Sequence, residues 1–214
     1  CVMHNTIRSL VLAALLAGSV LSAQAFNFKG VDNAIQNARR AVGGQQIYDV
    51  PSKGEISAAF SPDGGSEALV VKVIDSAAAV PQGEILMLAY SFTSPAVTEA
   101  LIRAAHHGVR VTLVADYKNN LVDDKSGKPR AAFAALKSAG ADVRTIKAFA
   151  IHHDKVIIAN RKTVELGSFN YSSAAAQRNS ENVLVHWNNP ELASVYLKHF
   201  ERNYGLSEAF SAAY

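Results

Sequence analysis

The chain has 214 residues, 49% of them apolar, enough to bury one good core, so a single folded domain is the default. A formal net charge of +3 is weakly compatible with a polyanionic partner but excludes a strongly basic nucleic-acid-coating surface, so charge does not decide the substrate. The one cysteine, Cys1, excludes a disulfide framework.

In chain order, Arg8 is followed by an apolar run over residues 10–21 and then by Ala23-Gln24-Ala25. A charged start, an apolar stretch and an A-x-A site predict a secretory signal peptide over residues 1–25, cleaved after Ala25, and a periplasmic or secreted product. The competing reading is a retained membrane anchor, but the run is shorter than the ~20 residues that a spanning helix needs. Without residues 1–25 the chain keeps 20 basic residues against 18 acidic ones and no thiol.

Val31, Ala34, Ile35, Ala38 and Val42 recur at helical spacing before Gly43-Gly44, so residues 26–50 are expected to form a short amphipathic helix and linker. Residues 51–214 then hold the main domain. Residues 56–60 predict a strand, residues 67–79 a helix with Leu69, Val70, Val73 and Ile74 inward, and residues 84–90 an apolar strand. Ser94-Pro95 supplies an N-cap and a first-turn proline for a helix that Gly108 closes, and residues 109–115 form the next strand. The run 116–130 is expected to be a loop, since it holds Asn119-Asn120, Asp123-Asp124, Gly127 and Pro129. Its Tyr117, Lys118, Lys125, Lys128 and Arg130 are candidate contacts to a polyanion, with a solvated surface as the plainer alternative. A helix over 131–139, strands over 142–146 and 181–187, and a helix over 191–203 complete a pattern that implies an α/β sandwich on a mixed sheet.

Between the last two strands lies Ile151-His152-His153-Asp154-Lys155-Val156-Ile157-Ile158-Ala159-Asn160, continuing to Gly167-Ser168-Phe169-Asn170. His153 and Lys155 are two apart in an apolar, β-branched run, so a strand there puts an imidazole and an ammonium on one face. A turn at Asn160-Arg161-Lys162 returns the chain as an antiparallel partner and delivers Ser168 and Asn170 nearby. A nucleophile or acid/base, a fixed positive charge and two neutral hydrogen-bonding groups suit a phosphodiester.

The spacing His153-x-Lys155, four residues, Asn160, six residues, Gly167-Ser168-x-Asn170 resembles the signature of the phospholipase D superfamily. The flanking Phe60-Ser61-Pro62, Met87-Leu88-Ala89-Tyr90-Ser91-Phe92-Thr93 and Asn179-Ser180-Glu181-Asn182 look most similar to the small single-motif endonucleases encoded on conjugative plasmids. The chain departs from the signature at Asn160, where the family carries aspartate; Asn keeps the turn-forming and hydrogen-bonding capacity but not the charge. The resemblance implies a phospholipase D-like α/β sandwich, its central mixed β-sheet flanked by helices. It also implies attack on phosphorus by neutral His153 to give a phosphohistidine, with Lys155 and Asn170 on the nonbridging oxygens, Ser168 donating nearby and Glu181 orienting the imidazole. With a single motif, the second histidine is expected from a second subunit, making a homodimer with its site on a two-fold axis.

Tyr90 and Lys118 are further candidate substrate contacts, and Tyr90, Phe92, Phe149 and Trp187 are candidates for stacking on bases, with core packing as the alternative use. No cofactor and no metal are implied, because Lys155 supplies the charge that a cation otherwise would. Three functions are compatible with these residues: a non-specific endonuclease cutting DNA, with RNA as an alternative substrate, a phospholipase D acting on phospholipid head groups, or a weakly active nucleic-acid-binding accessory protein, the last motivated by Asn160.

Overall fold

In the computed structural model, residues 48–62 and 64–211 are described. The signal-peptide expectation and nearly all of the expected 26–50 helix and linker lie outside these residues. Along the chain come β1 (Ile56–Ser61), α1 (Gly65–Ala78), β2 (Glu84–Ala89), α2 (Pro95–His106), β3 (Arg110–Asp116), a π-helical turn (Lys118–Asp123), α3 (Lys128–Ser138), β4 (Asp142–Ile146), β5 (Lys155–Ala159), β6 (Thr163–Gly167), α4 (Ser173–Gln177), β7 (Glu181–His186), α5 (Pro190–Gly205) and β8 (Ser207–Ala209). Among the described residues the strands form one eight-stranded sheet in the order β1-β7-β6-β5-β2-β3-β4-β8. The pairs β2–β3 and β3–β4 are parallel and the others antiparallel, so the sheet is mixed and flanked by helices, as the alternation of elements predicts.

The sheet buries both faces. Ile85, Met87, Ile157, Val183 and Val185 pack against Val70, Val73 and Ile74 of α1 and Leu101 of α2. Leu86, Leu88, Ile158 and Val164 pack on the other side against Ala193 and Phe200 of α5. After Glu84, central strand β2 is apolar from Ile85 to Ala89, and all of it is buried, the expected pattern for a strand covered on both faces. Helix α2 begins where Ser94 Oγ accepts the Val97 N–H at 3.1 Å, with Pro95 occupying the first helical position, where a missing N–H costs nothing.

Two expectations need correction. The segment 116–130 is not an irregular loop: a π-helical turn covers Lys118–Asp123, and α3 starts at Lys128 rather than at 131. Asn120 organises the turn, its buried amide donating to Tyr90 O and Asp116 O and accepting from Phe92 N. Second, β5 starts at Lys155, so His153 precedes the strand instead of lying on it. The cause is Asp116, whose Oδ2 accepts the His152 N–H at 2.7 Å and takes a donor that a ladder would otherwise use.

Candidate active site

At one edge of the sheet the last residues of β2, β3 and β4 meet the first residue of β5, because β5 runs antiparallel to its neighbour β2. Lys155, only 6% exposed, donates from Nζ to the carbonyl of His153 at 2.8 Å. The His153 ring is exposed and packs on Tyr90 with ring centroids 4.6 Å apart, and Lys155 Nζ lies 5.3 Å from the same aromatic ring. The two side chains therefore share Tyr90 although only Lys155 belongs to a strand. Burial, and after it the charge of Lys155, hold the His153 pKa below the ordinary histidine value, so the imidazole favours its neutral, nucleophilic form. Burial also lowers the Lys155 pKa, and the charges of Glu181 and Asp154 oppose that shift.

Across the hairpin, Val156 pairs with Leu166, which sets Lys155 opposite Gly167. The glycine is dictated by space: a Cβ at 167 would lie 2.2 Å from Asn182 O on β7. Ser168 donates from Oγ to Glu181 Oε2 at 2.6 Å and accepts the Asn182 N–H at 3.0 Å. Its hydroxyl proton is thus engaged, in contrast to the expected donation toward substrate. Glu181 also accepts from Asn179 Nδ2 at 3.0 Å. Its two oxygens are occupied on the β6–β7 side, and its bonds within the chain go to these residues rather than, as expected, to a ring nitrogen of His153. Asn170 follows buried Phe169, and its Oδ1 has no hydrogen-bond partner.

Asn160 lies elsewhere. Its Oδ1 accepts the Glu84 N–H and its own N–H donates to Glu84 O, both at 2.9 Å, at the far end of β5, five residues or roughly 16 Å from Lys155. Its φ of 51°, followed by 54° at Arg161, forms the hairpin turn that asparagine tolerates. Lys118 is exposed on the π-helical turn, while Tyr117 beside it lies under Lys147 Nζ, 4.6 Å from the ring centroid. Phe149, 39% exposed, lies under the Arg202 guanidinium. Of the other stacking candidates, Phe92 is wholly buried, and Trp187 packs against the core and donates to Ser57 Oγ at 2.9 Å.

Two polar clusters become visible only in the structure. Asp154, between the motif residues, turns to the other face, where Oδ2 meets His199 Nε2 at 2.9 Å, His152 Nε2 at 3.2 Å and Asn203 Nδ2 at 3.2 Å. Burial opposes its charge, but the bonds from His152 and His199 prevail and hold the carboxyl far below the usual carboxylate range. The second cluster is Glu165, fully buried on β6, with Tyr171. The spacing of His199 and Asn203 on one side of a helix was visible in sequence, but nothing there linked that side to Asp154. Among the described residues no group of three or more His, Cys, Asp or Glu side chains is arranged to hold a metal ion.

The family profile for the cardiolipin synthase, PLD-like domain matches residues 70–204, a span that contains every motif residue above. The chain belongs to the phospholipase D superfamily. It is 33% identical over 191 residues to a phospholipase D of Rickettsia conorii, covering 87% of this chain and 90% of that one. Among solved structures it is similar to Nuc, a phospholipase D family member from Salmonella typhimurium, with 38% identity and a TM-score of 0.69 over 75% of this chain and all of that one. NucT from Helicobacter pylori, 20% identical with a TM-score of 0.61, shares the fold. The protein is accordingly a phosphodiesterase of this superfamily, of nuclease or phospholipase D type.

Proposed function

We propose that the chain is a metal-independent endonuclease, hydrolysing DNA foremost, through a phosphohistidine formed at a site shared by two copies. The observation that carries this reading is the setting of His153: exposed, depressed in pKa, beside a buried lysine, and packed on the ring of Tyr90. Neutral His153 attacks phosphorus, the P–O bond to the leaving group breaks, and an acid must protonate the departing oxygen. His152 is buried against α5 and cannot serve, so the acid is the partner's His153, which then takes a proton from water as the phosphohistidine is hydrolysed. Lys155 and Asn170 supply charge and hydrogen bonds to the nonbridging oxygens.

A nucleic-acid substrate is supported by the same sheet edge. Strand order lines up Lys155, Tyr90, Tyr117 and Lys147 from adjacent strand ends, and the cation–ring pairs Lys147–Tyr117 and Arg202–Phe149 extend it. Cations interleaved with aromatic faces suit phosphates and bases. A phospholipid is the second reading. It is favoured by the exposed Ile151, 52% accessible, and Phe149 just before His153, and by relatives that carry the name phospholipase D. With Asn160 bonded to Glu84 far from His153, its missing charge gives no reason to infer an inactive binding protein.

The test incubates the protein with plasmid DNA and, separately, with phosphatidylcholine vesicles, both in EDTA, beside His153→Ala. DNA nicking by the native chain alone is expected. Choline release without nicking would establish the lipid reading instead, and loss of activity in chelator would contradict the mechanism.

A further inference from the structure

Glu165 is a carboxylic acid with no exposure, placed where the sheet otherwise buries hydrocarbon. On β6 it stands opposite Ile157 of β5 and Val185 of β7, and the apolar Val70, Val73 and Ile74 of α1 belong to the core on this face. Its Oε2 accepts the Tyr171 hydroxyl at 2.8 Å, while Oε1 has no partner. An acid so placed costs stability, and a leucine would fill the space without that cost. What it contacts accounts for its presence. Glu165 and Tyr171 bracket Gly167, Ser168 and Asn170, so their bond closes the loop that carries the second half of the motif. The wholly buried Tyr171 continues the chain of contacts: its carbonyl accepts the N–H groups of Thr93 and Ser94 at 2.8 and 2.9 Å, and it bridges to Phe92, two residues beyond Tyr90.

We propose that Glu165 is a positioning residue: while neutral it holds Tyr171, and through it the Ser168–Asn170 loop and the Tyr90–Phe92 segment, in register around His153; once ionised it still accepts the Tyr171 hydroxyl, but its unpartnered Oε1 sets a bare charge among Val70, Val73 and Ile74, and the opening that lets water reach that charge loosens both. This rests on the reading of His153 as the nucleophile. Burial, only partly offset by the Tyr171 hydroxyl and the Ile157 backbone, pushes the Glu165 carboxyl up to about 8, so it is neutral at pH 7 and charged in alkali. The other titratable groups on the elements around it are turned to other partners or to the other face of the sheet, as is His186 of β7, which stands opposite Val164. Lys155 of β5 and Glu181 of β7 lie further along the same face and bond to His153 O and Ser168. In α1, Glu67 takes the Ser94 hydroxyl, Asp75 pairs with Arg103, and Lys72 lies over Trp187. Asp154 is held by His152 and His199. A folded-state pKa raised above its unfolded value makes this contribution to stability fully present below the ordinary carboxylate range and lost as pH rises to about 8.

The experiment compares kcat and KM across pH 6–10 for the native chain, Glu165→Gln and Tyr171→Phe on bis(p-nitrophenyl) phosphate, with folding followed by circular dichroism. The native kcat should fall roughly tenfold per pH unit above about 8. In Glu165→Gln that fall should be absent while KM is unchanged; Tyr171→Phe, still folded, should lose about tenfold in kcat at pH 7, and its deficit to the native chain should shrink in alkali. Superimposable native and Glu165→Gln profiles would overturn the proposal. In parallel, the side-chain amide signals of Asn170 in the native protein should shift with a midpoint near 8, and their failure to move would also overturn it. This second readout needs neither the variants to fold nor any turnover. Absence of cleavage with Asn170 still titrating would therefore sink the nuclease reading and leave the positioning role standing.

Discussion

Asp154 shows how a motif position with no chemistry of its own holds the residues on either side. Its carboxylate gathers His152, His199 and Asn203 beneath the chain, anchoring to α5 the segment from which His153 and Lys155 project the other way. Its pKa is depressed in the folded state, so the stability it contributes is present above the ordinary carboxylate pKa of about 4 and is lost as pH falls through the lower folded value. Asp154→Asn is expected to cost about 1.5–3 kcal/mol at pH 7, the worth of hydrogen bonds to a charged group. Thermal denaturation of both proteins from pH 7 down to pH 3 checks this: the gap should narrow in acid, and a gap independent of pH would show that the charge contributes nothing.

Among the elements, the β5–β6 hairpin sets the site, and its two special residues act for different reasons. Gly167→Ala would drive a Cβ against the Asn182 carbonyl and push β7 away, costing about 1–3 kcal/mol and displacing Ser168 and Glu181 together. The denaturation midpoint and the activity of the surviving folded fraction should both fall. Asn160→Asp, by contrast, keeps the acceptor for Glu84 N far from Lys155, so turnover should stay within about twofold; a gain of orders of magnitude would show that the native residue cripples the enzyme. The hairpin, the strand order of types and the helix caps were legible because each follows from local chemistry: alternation, β-branching, Ser94-Pro95, Asn160 at a turn. The start of β5 was not legible, since the Asp116 side chain that takes the His152 N–H comes from 36 residues away. For the same reason the bond between Ser168 and Glu181 was not legible, since it follows from the close approach of β6 and β7.

For the molecule as a whole, the mixed sheet gathers the motif residues along one edge of its central strands. Antiparallel β5 lies beside parallel β2, β3 and β4, so Tyr90, Tyr117, Lys147 and His153 collect where these strands end or begin. Among the described residues, one chain supplies the proposed nucleophile, a buried cation and an amide, and in-line displacement at phosphorus also needs an acid on the leaving side. The proposed assembly therefore pairs two identical edges across a two-fold axis, which makes the interface self-complementary. The most direct measurement mixes native protein with His153→Ala in varied ratios, exchanges subunits by reversible denaturation and records DNA cleavage at constant total protein. If each site needs both copies of His153, specific activity falls as the square of the native fraction. A linear fall would show that one chain completes the reaction alone and would contradict the shared site.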